Sequence, residues 1–274
     1  MGGVVERVKA SRALTSPDER RKLVPARVQN GGGAGAGLAA AGERCYPMAM
    51  TASLETLLAP IRHSPQLVEA VDLLQEQIHA ERQRRTKFYE EMTPEQKIEF
   101  IDGEVVLHSP ARNVHLDVTS NVALLLKTYV QVHRLGEVKI EKCLCIFPRN
   151  DYEPDVVFFR SAKADKLQPD TMKFPVPDLI VEVLSESTEA RDRGVKFEDY
   201  QAHGVGEYWI VDAERAVVEQ YLLRSGAYEL VLKSGSGELC SEVVPGLVVP
   251  VRAFFQAEEN LAALREMLGE HAAS

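Results

Sequence analysis

Leu179-Ile180-Val181-Glu182-Val183-Leu184-Ser185 is the stretch on which the reading of this chain turns. Apart from Glu182 it is apolar up to Ser185, the pattern of a central strand buried on both faces. A carboxylate in such a strand is costly unless something pairs with it. A second acid, Asp155, opens another apolar run 27 residues earlier, in Glu153-Pro154-Asp155-Val156-Val157. A divalent cation held between the two would offset the cost and supply chemistry.

Outward from this pair the chain alternates helical and extended patterns. Residues 188–203 are expected to be a helix ending near Gly204, followed by strands at 206–212, 216–223, 227–233 and 239–244 and a final helix over 252–269. Upstream, Asp102-Gly103 signals a hairpin between two short strands. Residues 111–134 follow as a helix with Val114, Val118, Val122, Leu125 and Leu126 on its inner face. Strands are expected at 137–147 and 154–160, with a Lys-, Asp- and Pro-rich loop at 161–177. Thr93-Pro94-Glu95-Gln96 has the chemistry of a helix start. Residues 66–90 read as a helix with the apolar stripe Leu67, Val68, Val71, Leu74 and Ile78. The basic end of that helix, Arg82, Arg84, Arg85 and Lys87, reads either as a solvated terminus or as a phosphate-contacting patch. The fold class is therefore α/β with α+β character: a central mixed sheet flanked by helices, with extra antiparallel strands toward the C-terminus.

Composition narrows the function. Net charge is −9: residues 1–50 carry eight Lys/Arg and four Asp/Glu (+4), and residues 51–274 carry 24 and 37 (−13). An acidic body argues against indiscriminate coating of nucleic acid, which needs many basic phosphate contacts. It does not exclude a nuclease, whose metal cleft is itself acidic. No run of 18 apolar residues occurs and the N-terminus lacks an apolar signal core, so no membrane partner and a cytoplasmic location are expected. Cys45, Cys143, Cys145 and Cys240 form no CxxC and read as thiols in a reducing compartment. Residues 1–47, with their Gly/Ala run at 31–37, read as a disordered extension foreign to the domain, and Met48 or Met50 would serve as a start. The remaining boundaries are a helical segment at 48–91, a catalytic-type domain at 92–255 and a C-terminal helix at 256–274.

Hydrolysis of a phosphodiester needs an activated water and charge stabilisation on the phosphate. Carboxylates holding one or two Mg²⁺ ions, aided by a lysine, provide both. Asp155 and Glu182 are the candidate ligands, the Val183 carbonyl a further oxygen, Glu104 a third acid, and Lys196, in the following helix, the candidate ammonium.

Pro154-Asp155 followed by Glu182 resembles the PD-(D/E)xK signature of restriction-endonuclease-like nucleases. The wider pattern resembles the Uma family of bacterial endonucleases. Its stretches are Phe100-Ile101-Asp102-Gly103-Glu104, His115, Glu153 to Val157, Pro177 to Ser185, Lys196-Phe197-Glu198-Asp199-Tyr200 and Gly204 to Asp212, over residues 92–255. The resemblance implies Asp155 and Glu182 as ligands of Mg²⁺, with Mn²⁺ able to substitute. It carries over Glu104 as the extra acid, with Glu99 an alternative. Leu184 stands where the signature has lysine, and Lys196 matches the position to which that lysine migrates in look-alike families. Tyr200, one turn on, either orients Lys196 or packs, and His115 either contacts the scissile phosphate or caps its helix. Ser185 is placed to hydrogen-bond nearby carboxylates, whereas Tyr208 and Trp209 read as core. The implied substrate is DNA, and a homodimer is expected if both strands are cut. The competing readings are a catalytically silent nucleic-acid- or protein-binding module, and a metal-dependent hydrolase of RNA or nucleotide phosphoesters.

Overall fold

The structure, a computed structural model, describes residues 54–93 and 95–269. The expectations for residues 1–47 lie outside them. The chain opens with helices α1 (Leu54–Arg62) and α2 (Leu67–Glu91), then strands β1 (Ile98–Ile101) and β2 (Glu104–Leu107), helix α3 (Asn113–His133) and strands β3 (Gly136–Ile140), β4 (Leu144–Ile146), β5 (Asp151–Tyr152) and β6 (Val156–Arg160). It continues through α4 (Ser161–Ala164), β7 (Lys173–Phe174), β8 (Leu179–Val183), α5 (Glu189–Asp192), α6 (Val195–Ala202), β9 (Glu207–Asp212), β10 (Val217–Arg224) and β11 (Ala227–Ser234). It ends with β12 (Glu238–Cys240), β13 (Val248–Pro250) and α7 (Ala257–Met267).

The centre is a six-stranded sheet in the order β11-β10-β9-β8-β6-β3. Its β8–β9 pair is parallel and its other pairs are antiparallel, so the sheet is mixed. All five residues of β8 are buried, as the apolar run requires. Period-2 alternation sends Val181 and Val183 into one core, with α3, α7 and the β12–β13 hairpin, and Ile180 and Leu184 into a second core on the other face. That second core is closed by α6, by a five-stranded sheet in the order β2-β1-β5-β4-β7, and by the rings of Tyr152, Tyr200, Tyr208 and Tyr228. Tyr208 and Trp209 are fully buried, on opposite faces of β9.

Asp102 and Gly103 both have positive φ (51° and 85°), as a two-residue hairpin turn demands. The predicted strand 137–147 divides into β3 and β4 because Glu141 and Lys142 both adopt left-handed backbone (φ 40° and 46°). The predicted helix 188–203 divides at Arg193-Gly194 into α5 and α6. The loop 161–177 contains α4 and β7.

Two expectations are corrected. Glu95–Lys97 form a turn rather than a helix. The buried residues Ile98 and Phe100 commit the next stretch to β1, leaving no length for helical turns. The expected helix over 66–90 forms as α2, with its stripe Leu67, Val68, Val71, Leu74 and Ile78 exposed and Glu81 and Phe88 its buried residues. The basic end of α2 is an anchor. Arg85 pairs with buried Asp151 and donates to the carbonyls of Phe147, Pro148 and Asn150, while Arg84 donates to the Gly103 carbonyl.

Candidate active site

β6 and β8 pair with Val156 opposite Val181 and Val157 opposite Ile180. One further step in that register sets Asp155 against Glu182. Residues opposite each other in an antiparallel pair share a face, here the face of the second core. The strand ends thus bring together two carboxylates that lie far apart in the chain.

Asp155 is held on both oxygens. Its Oδ2 accepts the Val183 N–H at 2.9 Å, and its Oδ1 accepts from Lys97 Nζ at 2.8 Å with His115 Nε2 3.4 Å away. Burial alone would push this carboxyl up, but His115 and Lys97 outweigh it and hold Asp155 well below the usual carboxylate range. The same partnership raises His115, against the opposing effect of its own burial.

Glu182 Oε1 accepts from Lys196 Nζ at 3.0 Å and from Tyr200 Oη at 2.8 Å. Lys196 and Tyr200 are four residues apart on α6, and that spacing puts both on one helix face. Lys196 Nζ also lies 3.0 Å from Glu99 Oε1 and 3.4 Å from Asp192 Oδ1. Burial opposes its charge, yet these three carboxylates raise its pKa well above that of an ordinary lysine. Burial pushes Glu182 up to about 8, since Asp192, Asp155 and Glu99 add to the desolvation that Lys196 opposes. Glu99 goes the other way, to about 2, because Lys196 and His108 overcome its burial.

Glu99 is fixed by the backbone as well: its Oε1 accepts the Glu153 N–H at 2.9 Å, and its Oε2 lies 2.9 Å from His108 Nε2. Burial raises Glu153 to about 7. Asp192 Oδ1 and His115 Nδ1 are buried without a hydrogen-bond partner. A cleft of about 1130 Å³ opens onto the cluster, lined among others by Lys97, His108, His115, Asp155, Glu182 and Lys196.

The structure therefore brings Asp155, Glu182, Lys196, His115 and the Val183 backbone to one place. It does not bring Glu104 there: this residue begins β2 exposed and outside the cleft lining, while the alternative acid, Glu99, contacts Lys196. Ser185 bonds the hydroxyls of Ser187 and Thr188 rather than a carboxylate. Two members escaped the sequence reading. Asp192 carries no motif signal. Lys97 does: it precedes Glu99 by two residues, and period-2 spacing puts both on one face of an extended segment.

Among the described residues no group of three or more His, Cys, Asp or Glu side chains is spaced to hold a metal ion. A Mg²⁺ site needs less, since one or two carboxylates suffice when water and substrate phosphate complete the shell. Asp155 and Glu182 offer hard oxygen donors of that kind. Burial raises Glu182, Asp192 and Glu153, so the ionised forms of these acids are costly without a further cation. The donor set fits a divalent cation.

A mixed sheet flanked by helices, with Asp155 and Glu182 at neighbouring strand ends and Lys196 reaching Glu182 from α6, has the architecture of a restriction-endonuclease-like fold. The chain belongs to the Uma2 family, described as "Putative restriction endonuclease", whose model matches residues 86–252. Among solved structures it is similar to a putative nuclease from Anabaena variabilis ATCC 29413, with a TM-score of 0.54 and 16% identity over 65% of this chain and 96% of that one. That likeness concerns the fold. No curated protein matches the chain. No helix among the described residues is long and apolar enough to cross a membrane.

Proposed function

We propose that this protein is a Mg²⁺-dependent DNA endonuclease, with Mn²⁺ able to substitute, working in the cytoplasm. The observation that carries the proposal is the convergence of Asp155 and Glu182 beneath one cleft, with Lys196 Nζ 3.0 Å from Glu182 although α6 follows β8 by many residues. Asp155 and Glu182 would hold the ion, which would lower the pKa of a bound water and neutralise charge on the phosphate. Val183 N–H, Lys196 and Tyr200 fix the two carboxylates in place. His115, at the cleft wall beside Asp155, is placed to hold or pass a proton. Cutting both strands of a duplex requires two such sites, so the active form would be a homodimer.

The test is incubation of the full chain with supercoiled plasmid in Mg²⁺, Mn²⁺ or EDTA, beside Asp155→Ala and Glu182→Ala, with Mn²⁺ calorimetry on all three proteins. Metal-dependent nicking by wild type alone, with Mn²⁺ binding lost in both variants, is the expected result. Unchanged Mn²⁺ binding by both variants would remove the site assignment. Metal binding without cleavage of plasmid, single-stranded DNA or RNA would favour a silent binding module.

A further inference from the structure

Two lysines reach the acid pair, and they are not equivalent. Lys196 is 2% exposed and has carboxylate oxygens of Glu182, Glu99 and Asp192 within 3.4 Å. The ammonium is enclosed by these carboxylates and buried, so it presents little to a substrate. Lys97 is 21% exposed, lines the cleft, and has one hydrogen-bond partner among the described residues, Asp155 Oδ1. An ammonium has three N–H donors, so one acceptor leaves Lys97 capacity for another, and the cleft wall also carries Gln96, His115 and Lys142. Lysine is a compact point charge on a flexible stem. Lys97 is therefore able to exchange its carboxylate oxygen for a nearby phosphate oxygen, whereas doing so at Lys196 would strip a buried cluster of its only central cation.

We propose that Lys97 is the cation of this site that contacts a substrate phosphate, and that Lys196 is a positioning residue which holds Glu182, Glu99 and Asp192. The proposal rests on the nuclease reading and names the phosphate-binding residue of that same site. The turn before β1 thereby becomes part of the site: Lys97 supplies the contact and Glu99, two residues on, anchors Lys196.

A phosphate contact has a signature that a structural role lacks. Each phosphate neutralised by a lysine contributes about 0.9 to the slope of log affinity against log salt on duplex DNA. The full chain, Lys97→Gln and Lys97→Arg are titrated into a fluorescent duplex with Ca²⁺ in place of Mg²⁺, across a salt series. Melting curves and Mn²⁺ calorimetry accompany each protein. Lys97→Gln is expected to weaken binding about tenfold at low salt and to lower the slope by about one, with Mn²⁺ affinity kept or increased. Lys97→Arg, which retains the charge, is expected to restore the slope. A folded Lys97→Gln that binds Mn²⁺ and keeps the wild-type slope overturns the proposal and leaves the nuclease reading standing. If Lys97→Gln does not fold, the Lys97→Arg protein decides by its slope: a value below wild type despite the retained charge overturns the proposal. A wild-type protein that binds no duplex overturns both.

Discussion

Replacing Lys196 by Met keeps the length of the side chain and removes the ammonium from among Glu182, Glu99 and Asp192. Removing one partner of a buried ion pair costs about 3–5 kcal/mol. The structure gives the direction of the pH dependence. Glu99 is fully buried, and its carboxyl is held at about 2 against an ordinary 4.5, chiefly by Lys196 once burial is overcome. The sign follows from linkage. A depressed carboxylate contributes stability in full above its unfolded pKa and loses it as pH falls toward its folded value. The gap between wild type and Lys196→Met should therefore be about 3–5 kcal/mol at pH 7 and smaller at pH 3.5. Urea denaturation of both proteins at the two pH values measures it. A gap below about 1 kcal/mol at pH 7, or one that widens in acid, would refute the view that Lys196 is the central cation of the cluster.

Glu104→Ala should change Mn²⁺ affinity and plasmid nicking by no more than about twofold, as for surface substitutions generally. A tenfold loss in either assay would return Glu104 to the site. Arg85→Met strands Asp151, which is fully buried, with Tyr89 as its remaining side-chain donor. The cost should be about 3–5 kcal/mol, seen as a fall in Tm of roughly 10 °C for a domain of this size. A Tm within about 2 °C of wild type would show that the end of α2 is not anchored there.

Much of the architecture was legible because local and global preferences agree in it. The run Leu179–Val183, apolar except at Glu182, could only be a doubly buried strand, and Asp102-Gly103 could only be a tight turn between strands. Where the reading went wrong, a tertiary fact overrode a local one. The periodic stripe of α2 is a sound helix signal and the helix forms, but periodicity does not say whether a stripe is covered, and these residues are exposed. Thr93-Pro94-Glu95-Gln96 has good capping chemistry, yet burial of Ile98 and Phe100 on the sheet takes the chain into β1. The arginines at the end of α2 looked like solvated or phosphate-facing charge. Their acceptors are backbone carbonyls of the β4–β5 connection, the Gly103 carbonyl and Asp151, none adjacent in sequence.

The acids of the site were easier to find than its cations for a related reason. A carboxylate in a buried strand breaks an apolar pattern and is conspicuous, as at Glu182 and Asp155. A lysine in a turn or on a short helix breaks no pattern, and only the fold shows that it points inward. Lys196 was proposed from its place in the helix after Glu182 and supported by family resemblance, and Lys97 was not found at all. The asymmetry extends to charge. Asp155, Glu182, Glu99, Asp192 and Glu153 are all buried, and the two lysines with His108 and His115 do not satisfy them, since burial still raises Glu182, Asp192 and Glu153. A fold that needed this cluster only for stability would do as well with apolar side chains of the same volume. Buried acids at the floor of an open cleft make physical sense where a cation from solution stabilises their ionised forms.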